Sequence, residues 1–276
     1  MKLWTAVRIE LVKLYRRPST YIGFAVLAVL VALIVIGTSH RDPARQLRRS
    51  LSDDFVVAGK LVAAPFVAFV VVVPGVVLFL PVLASMVAGD QIAAERRTGT
   101  LRTLLTRPVP RGTVYAAKFL VSVLHTVALA TFLGGFALAM GLAFFGRGGL
   151  LAMGGTIRFI PEGEALWRLG LAYAMAAWCT IAITTIALFF STFLRSGAAA
   201  AAIAVAFLFV CSTADEILSL EWLSPYLMRE HILGVQKLFE TTIPVDEVLE
   251  SAGVMGLYMV VPLVLGFLVF RRKDVL

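Results

Sequence analysis

The chain has 276 residues, 60% of them hydrophobic and only 15% charged, with 25 Lys and Arg against 17 Asp and Glu for a net charge of +8. Water-soluble domains sit nearer half apolar and a quarter charged, so an ordinary soluble enzyme is disfavoured from the outset. The basic residues flank apolar runs instead of forming one stripe, which points to a lipid bilayer and away from a nucleic-acid partner.

Residues 2–17 form the first expected element. At 100° per residue, Leu3, Trp4, Val7, Leu11, Leu14 and Tyr15 share one arc, with Lys2, Glu10, Lys13, Arg16 and Arg17 opposite. This is the pattern of an amphipathic helix lying in the membrane interface and ended by Pro18. The apolar run that follows is too long for a signal-peptide core and lacks a small-residue cleavage site, so the segment is read as retained.

Six stretches of 19 to 29 residues contain no Asp, Glu, Lys or Arg. A helix needs about 20 residues to cross about 30 Å of hydrocarbon. The predicted spans are 18–39, 61–89, 113–146, 169–194, 196–214 and 251–270. Arg195, Ser196 and Gly197 break a long apolar run into two antiparallel spans joined by a tight turn. Residues 215–250 form a long acidic loop whose apolar residues recur at helical spacing, predicting one or two short helices packed on the outer mouth. Its acids either select a cationic cargo or make a solvated face. The expected fold is an all-α integral membrane protein, a single domain over 1–276, with six transmembrane helices. With an even number of spans both termini share one side, and 15 of the 25 Lys and Arg fall there, which predicts cytoplasmic termini.

Several chemistries are missing from the sequence. No GxxxxGK[ST] phosphate loop occurs, so this chain does not itself hydrolyse ATP. Glu230 and His231 are adjacent but lack a second His at helical reach for a zinc-protease helix. Cys179 and Cys211 sit alone inside spans, as small packing residues. His125 is the only group in the predicted spans that titrates near neutrality, which disfavours a proton-coupled carrier; it reads better as a helix-contact residue. No catalytic residue, metal ligand or bound cofactor is expected.

The informative segment is 90–112, between spans two and three. Gly99 ends the preceding helix, Thr100 can cap a short new one, and Pro108 terminates it. Within it Leu101, Leu104 and Leu105 make an apolar ridge, with Arg102 and Arg107 pointing away. Such a helix either docks into a groove on another protein or rests on lipid, and the pattern does not separate the two.

Glu95, Gly99-Thr100-Leu101, Leu104-Leu105, Pro108-Val109, Arg111 and Lys118 resemble the signature of ATP-binding-cassette (ABC) transporter permeases of the type-2 exporter family. The resemblance extends to the order of parts, from the basic N-terminal helix to the tail Phe270-Arg271-Arg272-Lys273-Asp274. It implies a permease in a bacterial or archaeal cytoplasmic (inner) membrane, paired with an identical or related second permease chain. Each permease would rest on a separate cytoplasmic ABC ATPase subunit, which holds the ATP and Mg. The segment would carry the coupling helix, with Glu95, Arg96, Gly99, Thr100, Leu101, Leu104, Leu105, Arg107, Pro108 and Arg111 as the ATPase-coupling residues. Pro74 and Pro81 of the proline-rich second span, with His125 of the third, are candidates for lining the path. The rival readings are a membrane scaffold or assembly factor docking a non-ATPase partner through 90–118, and an intramembrane enzyme.

Overall fold

A computed structural model describes residues 3–40, 63–99, 110–154, 156–218 and 226–272. Helix α1 (Leu3–Tyr15) turns at Arg16–Pro18 into α2 (Ser19–His40). The second span is an interrupted helix: α3 (Ala64–Pro74), a π turn (Gly75–Phe79) and α4 (Leu80–Arg97). Then follow α5 (Arg111–Phe145), the strands β1 (Leu150–Gly154) and β2 (Thr156–Ile160), α6 (Glu162–Ser191) and α7 (Gly197–Leu218). A short helix α8 (Met228–Leu233) continues as a 3₁₀ turn (Gly234–Phe239) before α9 (Val245–Arg272).

Among the described residues five helices are long and apolar enough to cross a membrane: α2, α3–α4 taken together, α5, α6 and α9. The protein is a multi-pass membrane protein built almost wholly of helix. The expected sixth span, 196–214, corresponds to α7, whose apolar stretch Gly197–Thr213 falls short of the other five. Helix α6 is the central element, with 72% of its most apolar stretch buried, against 17% for α2 and for α9.

The helices overrun the charge-free stretches that predicted them. Asp90 and Glu95 lie in α4, Lys118 in α5 and Arg168 in α6, so these helices continue past the charge-free stretches. A boundary drawn at the first charge ends a helix too early whenever that charge has a partner inside the protein. Among the described residues the all-α expectation has one exception, the antiparallel hairpin in which Leu150 pairs with Ile160 and Gly154 with Thr156. Leu150 and Ile160 are buried, which anchors the hairpin to the bundle. Short helices were expected in the 215–250 loop, and α8 with its 3₁₀ turn packs there against α6, α7 and α9.

The prolines of the second span concentrate their effect. Pro65 stands in the first turn of α3, where its missing N–H costs nothing, and Pro81 in the first turn of α4. The interruption is confined to the π turn between Pro74 and Leu80.

Helices α4 and α7 cross at two glycines. A Cβ on Gly89 would fall on the Gly197 carbonyl, and one on Gly197 on the Asp90 carboxylate. Small residues at such a crossing let backbones approach closely, which replaces the hydrophobic driving force missing between helices in lipid. Gly89→Leu should force the two helices apart and cost about 1–3 kcal/mol. The check is thermal unfolding in detergent, where this variant should melt below both the wild type and Gly135→Leu, because a Cβ on Gly135 meets open space.

Candidate functional site

At the end of the bundle that carries α1, the two helices flanking residues 98–110 are held by buried charge. Lys118, on the second turn of α5, has 0% of its side chain exposed and lies 2.9 Å from Glu95 and 3.2 Å from Glu10. Lys13 closes the square at 2.6 Å from Glu10 and 3.1 Å from Glu95. Each ion therefore touches two of opposite sign, and the four charges sum to zero. A buried ion pair survives only when geometry and further contacts repay its desolvation, and the alternating square supplies both.

Burial alone would lower the pKa of Lys13, but the Glu10 hydrogen bond and the Glu95 charge outweigh it, and its pKa lies above the ordinary 10.5. A raised lysine pKa adds stability that is fully present below the unfolded value and lost as pH rises through the folded one. The Lys13 contribution is thus constant across neutral pH and fades only in strong alkali.

The square changes the reading of α1. Glu10 and Lys13 were expected on the polar, outward face; Glu10 is buried and Lys13 half-buried, both turned toward the bundle. Val7 and Leu14 pack with Ala6 against Ala117 and Val121 of α5, and Leu11 and Tyr15 cover that cluster. Trp4, placed on the same apolar arc, is 74% exposed. The apolar arc is therefore divided between protein and surroundings, and a wheel that treats α1 as isolated does not show this.

The predicted coupling residues are placed as follows. Glu95 belongs to the square. Arg96 donates from one guanidinium nitrogen to the carbonyls of Thr192 (2.8 Å) and Phe193 (3.1 Å), just past the end of α6. Gly99 has φ +71°, a left-handed conformation that favours glycine at a helix end. Arg111, at the start of α5, donates to the Arg271 carbonyl at 3.0 Å, tying the last turn of α9 to the same end. Thr100, Leu101, Leu104, Leu105, Arg107 and Pro108 lie outside the described residues. Sequence reasoning missed Ser191, whose hydroxyl donates to the Gly89 carbonyl at 2.6 Å and accepts from the Ala93 N–H at 2.9 Å. It also missed Glu10 and Lys13, although their i, i+3 spacing and the placement of Glu95 and Lys118 at the edges of apolar runs were visible.

The three candidate path residues separate. Pro74 lines a cavity of about 380 Å³ beside the π turn, with Val77, Leu208, Ser212 and Arg229 among its walls. His125 lines a different cavity, under the α1–α2 turn. Pro81 is buried and lines neither cavity.

A second buried cation secures the opposite end. Arg168 donates to the carbonyls of Leu238 (2.8 Å) and Glu240 (2.7 Å) and pairs with Glu164 at 2.7 Å. It thereby caps the 3₁₀ turn that follows α8. His231 and Ser251, 3.1 Å apart, join α8 to α9. Among the described residues no group of His, Cys, Asp and Glu has the arrangement of a metal site, and both cysteines are free and buried.

A multi-pass helical membrane protein with a buried ion square at one end is thus the class defined by fold and site. By sequence the chain belongs to the family described as "Protein of unknown function (DUF2705)", whose model matches residues 25–276. It is also similar to "Uncharacterized protein YhcI" of Bacillus subtilis (strain 168), with 22% identity over 197 residues. That alignment covers 69% of this chain and 63% of the relative, so the chain spans under two thirds of the relative's length.

Two variants test the site. Lys118→Met leaves two buried carboxylates sharing Lys13 alone, one negative charge in excess, and should cost about 3–5 kcal/mol, whereas Lys118→Met with Glu95→Gln, which leaves the Glu10–Lys13 pair, should cost less than the two single changes summed. Thermal unfolding of the four proteins completes the cycle. Arg168→Leu should instead leave that end intact and open the opposite one, seen as faster proteolysis between residues 226 and 244.

Proposed function

We propose that this chain is the membrane-spanning permease subunit of an ATP-driven ABC exporter, working as a dimer with an identical or related chain and coupled to separate cytoplasmic ATPase subunits. Residues 90–112 are the coupling segment, both termini face the cytoplasm, α7 makes the sixth crossing, and the membrane is the cytoplasmic one.

The observation that carries the reading is the set of ion pairs and hydrogen bonds that ties down the helix ends on either side of residues 98–110. On one side Glu95 is locked into the ion square and Arg96 into the end of α6. On the other, Lys118 joins the same square and Arg111 holds the end of α9. A push on a segment mounted this way is passed to α1, α4, α5, α6 and α9 together. A passive connector has no need of a fully buried lysine at its root. The ridge that the sequence pattern predicts for Leu101, Leu104 and Leu105 would supply what an ATPase groove holds, and the cavity beside Pro74 and the π turn is a candidate part of the path.

Leu104→Asp puts a carboxylate where the groove would close. The variant should still insert in the membrane but lose its ATPase and its ATP-dependent transport. Gentle solubilisation of the tagged protein from its host, followed by identification of what is retained, checks this. An ABC ATPase present at about one per chain in the wild type and lost in the variant is the expected result. If a non-ATPase protein is held through the segment instead, the chain is a scaffold and the transport reading falls.

A further inference from the structure

The cavity of about 380 Å³ beside the π turn lies between α3, α7 and α8. Protein interiors leave few voids larger than a water, and an apolar void holds water poorly, so a space of this size calls for an occupant. Its walls set the chemistry. Among the described residues that line it, Arg229 carries the one charge and Ser212 the one hydroxyl, and all the others are apolar. Ser212 already donates its proton to the Leu208 carbonyl at 2.9 Å, which leaves Arg229 as the lining side chain able to donate to a ligand. A guanidinium has five donors, so Arg229 can hold a protein partner and still receive an anion.

Depth says where the occupant comes from. Pro74 closes α3, which starts at Ala64, and Ser212 precedes the end of α7 at Leu218, so the cavity lies about 9–15 Å from those helix ends at about 1.5 Å per residue. An ionisable side chain at such depth in a membrane protein marks a ligand site by default. Phe209, 45% exposed at the edge of the cavity, stands beside the α3–α4 span, where the surroundings are hydrocarbon. A molecule entering there needs an apolar chain. Charge and size then fix its head. No Asp or Glu among the described residues lines the cavity, so a cationic head would meet only the like charge of Arg229. A head with several hydroxyls or a second charge would lack further partners and be costly to desolvate. A carboxylate is compact and takes two parallel hydrogen bonds from one guanidinium.

We propose that this cavity binds one long-chain carboxylate, an amphiphile of the fatty-acid class, from the leaflet away from α1. Its carboxylate sits on Arg229 and its chain runs along Val77, Leu208 and Phe209. The site requires the membrane-embedded fold and is independent of the transporter reading.

The test is native mass spectrometry of the full chain, delipidated in detergent and offered palmitate, hexadecanol, hexadecyltrimethylammonium or a dipalmitoyl phosphatidylglycerol. One palmitate should be retained about tenfold over each of the others, the size of one charge-assisted hydrogen bond. Arg229→Gln should bring palmitate down to the level of hexadecanol, and Arg229→Lys should keep part of the preference. Ser212→Phe, which fills the cavity from α7, should exclude palmitate and hexadecanol alike. If the Arg229 variants fail to fold, the wild-type comparison of heads and Ser212→Phe carry the test. Hexadecanol or the ammonium retained as well as palmitate overturns the proposal, and so does stronger retention of phosphatidylglycerol. A palmitate preference that survives Arg229→Gln or Ser212→Phe in a folded protein overturns it as well.

Discussion

Lys118 has no contact with solvent, and an ammonium group taken out of water must be matched by carboxylates that are themselves matched. That requirement organises one whole end of the molecule. Glu95 and Glu10 supply the matching charge, each then faces a second lysine at Lys13, and no member can turn outward without stranding two neighbours. Because Glu10 and Lys13 belong to α1, an element whose composition suits the membrane interface is clamped to α4 and α5. The clamp spans sequence separations of 82 and 108 residues, so it exists only once the bundle has assembled.

The two ends of the bundle solve the same problem with different partners. Near α1, charges pair with charges and free carbonyls past α6 and on α9 accept from Arg96 and Arg111. At the far end Arg168 is matched chiefly by backbone, with two carbonyls closing the turn after α8. The close approach of Gly89 and Gly197 and the reach of Ser191, the one side chain of α6 that bonds the α4 backbone among the described residues, add to the anchoring near α1.

Five long apolar helices were legible because charge-free length is a strong signal of a helix able to cross a membrane, and the break at Arg195–Gly197 was legible because polar and small residues interrupt an apolar run. Charges inside helices were not. Arg168 stops a count of uncharged residues at Leu169, yet the helix starts at Glu162, since the guanidinium finds carbonyls that lie 70 and 72 residues away in sequence. The hairpin was hidden for a similar reason: its strands depend on Leu150 and Ile160 finding a buried place beside the bundle. Of the site, Glu95 and Lys118 were noticed through a family signature, but α1 read by itself puts Glu10 and Lys13 outside. A helical wheel has no knowledge of a neighbouring helix with a charge to satisfy.

The π turn at Gly75–Phe79 also sets an angle. It accommodates one residue more than an α-helical turn would, and each residue in an α-helix advances the side-chain direction by about 100°. Everything from Leu80 onward is rotated by that amount relative to an unbroken continuation of α3. Glu95 meets Lys118, and Gly89 meets Gly197, only in this phase. Straightening the π turn into regular α-helix at the same residue count would leave composition and hydropathy untouched while turning α4's polar and small-residue faces to the wrong neighbours, whereas deleting one residue along with the bulge would keep them in phase. In this helix, the kind of turn between Pro74 and Pro81 acts as a rotational setting, read out about four turns away.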